Sequence, residues 1–191
     1  MEKNIRMYRQ RGDTCAIACM MMVLEYYGII EKATWYDERR FYKIYGSKYI
    51  PGTPFSAVAY HFAKNGLLPS VYHEDKNLFC NDEHILDEEE FKLALEEYKE
   101  FLERAVANGA KVVSGIEINT SLIKAKLREE NMIILAGRIP GVYHAILIVD
   151  YNNDKFVVYD PLYKNEQFRT EQELSVFMNT NIGKWLICVH D

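Results

Sequence analysis

Residues 10–19 read Gln10-Arg11-Gly12-Asp13-Thr14-Cys15-Ala16-Ile17-Ala18-Cys19, and Met20-Met21-Met22-Val23-Leu24 extend the apolar run. A run of this length spans more than two helical turns before Glu25-Tyr26-Tyr27-Gly28 closes it, so the stretch predicts a buried helix from about Thr14 to Tyr27. Asp13 is a good N-cap residue, which makes Cys15 the second helical residue. A thiol attacks only as thiolate, and the free N–H groups of a helix's first turn favour an anion. Gln10 supplies a carboxamide donor close upstream. Thiol, free N–H and carboxamide together are what cysteine acyl transfer requires. Taken alone, Cys15 also reads as an ordinary packed cysteine.

Such a nucleophile needs a base and a group to orient the base. The strand-forming stretch Val142-Tyr143-His144-Ala145-Ile146-Leu147-Ile148-Val149-Asp150-Tyr151 is followed by Asn152-Asn153-Asp154 and then by Lys155-Phe156-Val157-Val158-Tyr159-Asp160, with Pro161 after it. The intervening turn makes this a hairpin, with His144 near the start of one strand and Asp160 at the end of the other. The expected register opposes His144 to Asp160, Ala145 to Tyr159 and Ile146 to Val158, with the turn centred on Asn152. Residues directly opposite share a face, so imidazole and carboxylate would meet. Asp150 is the competing orienter on the same hairpin, and Asp160 before a proline is also a natural turn residue.

The order Gln, four residues, Cys-x-x-Ala and Tyr-Tyr-Gly, then Tyr143-His144-Ala145 and Tyr159-Asp160-Pro161-Leu162, resembles the bacteriocin-processing, double-glycine-leader peptidases. The likeness also covers Pro51-Gly52-Thr53-Pro54 and residues 121–136. It implies a papain-like α+β fold, in which an N-terminal nucleophile-bearing helix packs against a C-terminal antiparallel β-sheet. It further implies Cys15 as nucleophile, His144 as base and acid, Asp160 as orienter and Gln10 as oxyanion donor. Small residues would precede the scissile bond of a leader peptide, and a separate exporter would be a partner. Ala16 stands where many relatives have glycine, and residues 73–111 have no counterpart in the resemblance.

At 191 residues the chain is long enough to bury roughly 70% of its unfolded surface without staples, and it reads as one domain over 1–191 with a helical insertion at about 73–111. A hydrophobic share of 49% with 27% charged residues is that of an ordinary globule and not of a disordered chain, and a net charge of -5 without a basic cluster argues against nucleic acid as a partner. The cysteines Cys15, Cys19, Cys80 and Cys188 form no short-spaced disulfide framework, and a working thiolate suits a reducing, cytoplasmic setting. Lys3, Arg6, Arg9 and Arg11 before an apolar run imitate a signal peptide. The run is short, Asp13 interrupts its entry and no cleavage site follows, so no secretion or membrane insertion is expected. His73, Cys80 and His84 match no common zinc spacing. No metal or cofactor is expected.

Elsewhere a partial helical repeat covers Trp35 to Tyr49, and Thr53 with Pro54 starts a helix from Phe55 to Asn65. Leu67 to Tyr72 reads as a strand. Asp87 opens a long helix to about Asn108 whose stripe includes Phe91, Leu95, Tyr98 and Leu102. A helix from Ser121 to Glu130, a strand from Met132 to Ile139, a helix from Thr170 to Phe177 and a strand from Lys184 to His190 follow. Helices first and sheet later is an α+β order. Three functions remain open: a cysteine peptidase, an acyltransferase or transpeptidase using the same thioester, and a catalytically silent peptide-binding relative.

Overall fold

The computed structural model describes residues 4–74, 87–140, 142–179 and 184–190. In chain order the elements are α1 (Cys15–Tyr26), α2 (Trp35–Tyr45), α3 (Phe55–Lys64), β1 (Ser70–His73), α4 (Glu88–Ala107), β2 (Lys111–Ser114), α5 (Thr120–Arg128), β3 (Met132–Ile139), β4 (Val142–Asn152), β5 (Lys155–Tyr159), β6 (Gln167–Arg169), α6 (Glu171–Met178) and β7 (Trp185–Val189). The strands form one mixed sheet in the order β2-β1-β7-β3-β4-β5-β6. Helices cover both faces. Alternate residues of the central strands therefore enter two cores: Met132, Ile134, Leu147 and Ile187 meet α1, α3 and α4, whereas Ile133, Leu135, Ile146 and Leu186 meet α5 and α6. That double burial explains why β3, β4 and β7 read as unbroken apolar runs rather than as alternating ones.

Every residue of α1 from Ala16 to Leu24 is buried. A helix that is apolar all round belongs in a core, and each of its large side chains contributes about 1.5–3 kcal/mol through burial. The helix begins one residue later than expected. Its N-cap is Thr14 rather than Asp13, so Cys15 is the first helical residue. Likewise Pro54, not Thr53, occupies the N-cap of α3, and no side chain caps that helix. By contrast Asp87 and Thr170 each form a full capping box, with Glu90 and Glu173 respectively.

The mixed α+β class stands, with one correction to the sheet. It is not purely antiparallel or confined to the C-terminal half, because β1 and β2 pair in parallel and join through β7. The short strands β2 and β6 carry too few residues for a periodic signal, and neither was expected.

The hairpin forms, in a different register from the one expected. Asn152 pairs with Lys155 around Asn153 and Asp154, whose φ values of 47° and 58° mark a tight turn with both central residues left-handed. Asn and Asp tolerate that conformation best among residues with a side chain. A bulge lies between Ile148 and Asp150, and beyond it Ile148 pairs with Val158 and Leu147 with Tyr159. Continued by one residue, this sets Asp160 beside Ile146 instead of His144. A displacement of two keeps the face, and His144 reaches Asp160 as a diagonal neighbour.

Candidate active site

The structure brings His144 and Asp160 into direct contact and sets Cys15 beside them. His144 Nε2 lies 2.7 Å from Asp160 Oδ1, with both residues buried. With that nitrogen engaged, Nδ1 is the one left for Cys15, whose half-buried thiol lines the same cleft as the imidazole. As the first helical residue, Cys15 has no carbonyl one turn back to take its N–H. Cys19, one turn deeper, is fully buried, and its thiol donates to the Ala145 carbonyl at 3.6 Å. Burial, with the charges of Cys15 and Asp160, pushes the Cys19 thiol well above its ordinary value, so it stays neutral and packed.

Asp160 is surrounded by donors. Its Oδ1 also accepts from the Leu162 N–H at 3.0 Å, and its Oδ2 accepts from Arg169 Nη2 at 2.8 Å. Burial opposes the charge, but the His144 and Leu162 hydrogen bonds and the charges of His144 and Arg169 outweigh it and hold the carboxyl below its ordinary value. For His144, burial likewise favours the neutral ring. The hydrogen bonds to Asp160 and Cys15 and their negative charges win, raising it to about 9. At neutral pH the ring is therefore an imidazolium between a carboxylate and a sulfur.

The Gln10 carboxamide is not among the groups that line the cleft around Cys15. Its Nε2 donates to the Gly12 carbonyl at 2.6 Å, which uses one of its two N–H bonds. Its backbone N–H donates to the Pro161 carbonyl at 2.9 Å, tying the segment before α1 to the loop after Asp160. Asp150, the alternative orienter, is exposed and accepts from the Tyr151 N–H at 2.8 Å.

A family model, the Peptidase_C39 like family, matches residues 2–188. The chain belongs to this family. It is a papain-type cysteine peptidase family that also includes inactive members, and the α+β architecture is consistent with that fold. No curated protein matches the chain.

Within this family member, three contributors to the site went unrecognised in the sequence. Arg169 on β6 clamps the far oxygen of Asp160 and lies 5.0 Å over the Phe177 ring. Gly137 on β3 pairs with His144, and a Cβ there would sit 2.2 Å from the Phe177 ring. Only glycine lets Phe177 of α6 approach, and its ring stands edge-on to the imidazole at 6.3 Å. Tyr98 reaches the cleft from α4, inside the segment expected to be an insertion, and packs on Trp185 with ring centres 4.7 Å apart. None of these has a local signature, because each acts on residues distant in the chain.

The cleft holds about 180 Å³. Apart from Cys15, His144, Thr53 and Tyr143 it is apolar, with Ile50, Pro54, Phe55, Tyr98 and Trp185 among its walls. Of the loose histidine-cysteine cluster, His73 stacks on Trp185 at 4.6 Å, while Cys80 and His84 lie outside the described residues. Among the described residues no group of His, Cys, Asp and Glu could hold a metal ion, and no helix is long and apolar enough to cross a membrane.

Proposed function

We propose that the chain is an active cysteine peptidase that cleaves a peptide amide through Cys15, His144 and Asp160. The observation that carries this reading is the buried 2.7 Å contact of His144 with Asp160 beside a cysteine at a helix start. Cys15 adds to the carbonyl carbon, and its own N–H with the second N–H of Gln10 stabilises the oxyanion. His144 then protonates the leaving amine, and water, deprotonated by His144, releases the acid. Asp160 keeps the ring oriented. The apolar cleft suits an uncharged peptide segment, and the substrate of this reading is a leader peptide with small residues before its scissile bond, cleaved for a separate exporter. The free thiols Cys15, Cys19 and Cys188 suit a reducing compartment such as the cytoplasm.

The test is labelling by iodoacetamide at neutral pH, followed by turnover of a peptide that carries two glycines directly before the bond to be cleaved. One equivalent on Cys15, faster than on a free thiol, supports the reading; labelling no faster than a free thiol returns the chain to a peptide-binding role. Product carrying an added amine in place of water would identify a transferase instead.

Two further results are expected. Gln10→Ala should slow acylation by roughly a hundredfold, the effect of losing one oxyanion donor, with KM little changed. A raised KM at constant kcat would make Gln10 a binding residue. The second concerns pH. His144 is raised to about 9 from an ordinary 6.5, so it keeps its proton through neutral pH and loses it as pH rises past about 9. The alkaline limb of kcat/KM should therefore lie near pH 9. A limb near 6.5 would show an imidazole that Asp160 does not support. The same shift favours the folded state fully below about pH 6.5, and that contribution fades as pH rises through about 9.

A further inference from the structure

Glu38 of α2 is a carboxylate with only 1% of its surface exposed, and its hydrogen bonds reach back to the segment that precedes Cys15. Its Oε2 accepts from the Tyr8 hydroxyl at 2.7 Å. Its Oε1 accepts from the Arg11 N–H at 2.8 Å and from the Thr14 hydroxyl. Residues 8–14 contain no helix or strand, so no ladder of their own holds them. One buried side chain thus grips this irregular segment at its start, middle and end. Gln10 lies between the first two grips, and Thr14 is the residue joined to Cys15.

Thr14 adds an independent observation. It is the N-cap residue of α1, and threonine there ordinarily accepts a hydrogen bond from the first turn. In this chain it makes no such bond, and its hydroxyl is turned to Glu38. The first-turn N–H groups next to the thiol are therefore not consumed by their own cap. A buried carboxylate is costly unless its lone pairs are satisfied, and here three donors from one short segment satisfy it.

We propose that Glu38 is a positioning residue for the oxyanion donors. It fixes the path of residues 8–14, and through them the Gln10 carboxamide and the Cys15 N–H, without touching substrate. This rests on the reading of Cys15 and Gln10 given above. Misplacing an oxyanion donor slows acylation, whereas alkylation of the thiol forms no oxyanion and does not need it.

The experiment compares two rates in wild type and variants: acylation by acetyl-Gly-Gly aminomethylcoumarin amide, and alkylation of Cys15 by iodoacetamide. Glu38→Ala should lower kcat for the amide roughly a hundredfold with KM little changed, as a small displacement of catalytic groups does. Alkylation should stay near the wild-type rate. Glu38→Gln should recover most of the loss, because its carboxamide oxygen keeps Arg11 and Thr14 while its NH₂ donates to the Tyr8 oxygen. Thr14→Val, which removes one grip and leaves the buried carboxylate with two donors, should lower acylation less and leave alkylation unchanged. Adding Gln10→Ala to Glu38→Ala should cost less than it does alone, since both act on one group. Acylation unaffected in Glu38→Ala and in Thr14→Val, or acylation and alkylation falling together with thermal stability in both, would overturn the proposal while the site reading survives. A wild type that neither alkylates at Cys15 nor forms an acyl-enzyme would overturn both.

Discussion

Cys15→Ala is expected to remove turnover almost entirely, by roughly a millionfold, the scale seen when the nucleophile of a triad is deleted. Among the described residues no other thiol can take over. Cys19 is the only other described thiol near the site; it is fully buried, hydrogen-bonded to the Ala145 carbonyl and held neutral by its burial. The fold should survive, because Cys15 is half-buried at the first position of α1 and alanine keeps its Cβ. Unfolding free energy should stay within about 1 kcal/mol of wild type. Cys19→Ala is the matched control. It removes a buried sulfur, costs about 1 kcal/mol or more in stability and leaves turnover within a few-fold of wild type. Activity surviving in Cys15→Ala and lost in Cys19→Ala would mean that the wrong turn of α1 has been assigned to the chemistry.

Asp160→Asn is expected to lower kcat/KM by about 10³–10⁴-fold. Three donors point at the carboxylate: His144 Nε2, the Leu162 N–H and Arg169 Nη2. A carboxamide has one acceptor oxygen for them. If that oxygen stays with His144 and Leu162, the NH₂ faces Arg169 across 2.8 Å and expels it. If it turns to Arg169, the NH₂ faces His144 and forces the ring proton onto the nitrogen beside Cys15. In either orientation the imidazolium loses its counter-charge, so the alkaline limb of the pH profile should also move below 9. Asp150→Asn should be mild, because Asp150 is exposed and its nearest bond is to the Tyr151 N–H. A severe effect at Asp150 with little at Asp160 would reject the triad.

What was legible in the sequence is what local pattern encodes. Nine successive buried residues announce α1, the apolar runs announce β3 and β4, and the acidic front of α4 with Asp87 announces its cap. The pairing of imidazole with carboxylate was also legible, since it requires only that two strand ends meet. The register was not. It depends on which two residues take left-handed φ in the turn and on an extra residue inside β4, and no propensity specifies either. Asp13 is as good a cap as Thr14 on paper; Thr14 holds the position in a segment whose course depends on a glutamate 24 residues away. Arg169, Gly137 and Glu38 share that character: each matters through partners that only the folded chain brings near.

The bulge in β4 has an arithmetical consequence. Counted inward from the turn, Asn152 meets Lys155 and Tyr151 meets Phe156. An unbroken count would set Asp160 against Leu147, an odd position whose side chain enters the α1 core. Val149 is the extra residue, and it makes Ile148, not Val149, the partner of Val158. The carboxylate thereby moves onto the even row of His144, Ile146 and Ile148. The parity of the hairpin is set at a residue that touches nothing in the chemistry. Deleting Val149 would leave Ile148 on Val158 and Asp160 beside Ile146 in an unbroken ladder, whereas drawing Val149 into the ladder opposite Val158 would send Asp160 to the other side of the sheet with every catalytic side chain still present in the chain.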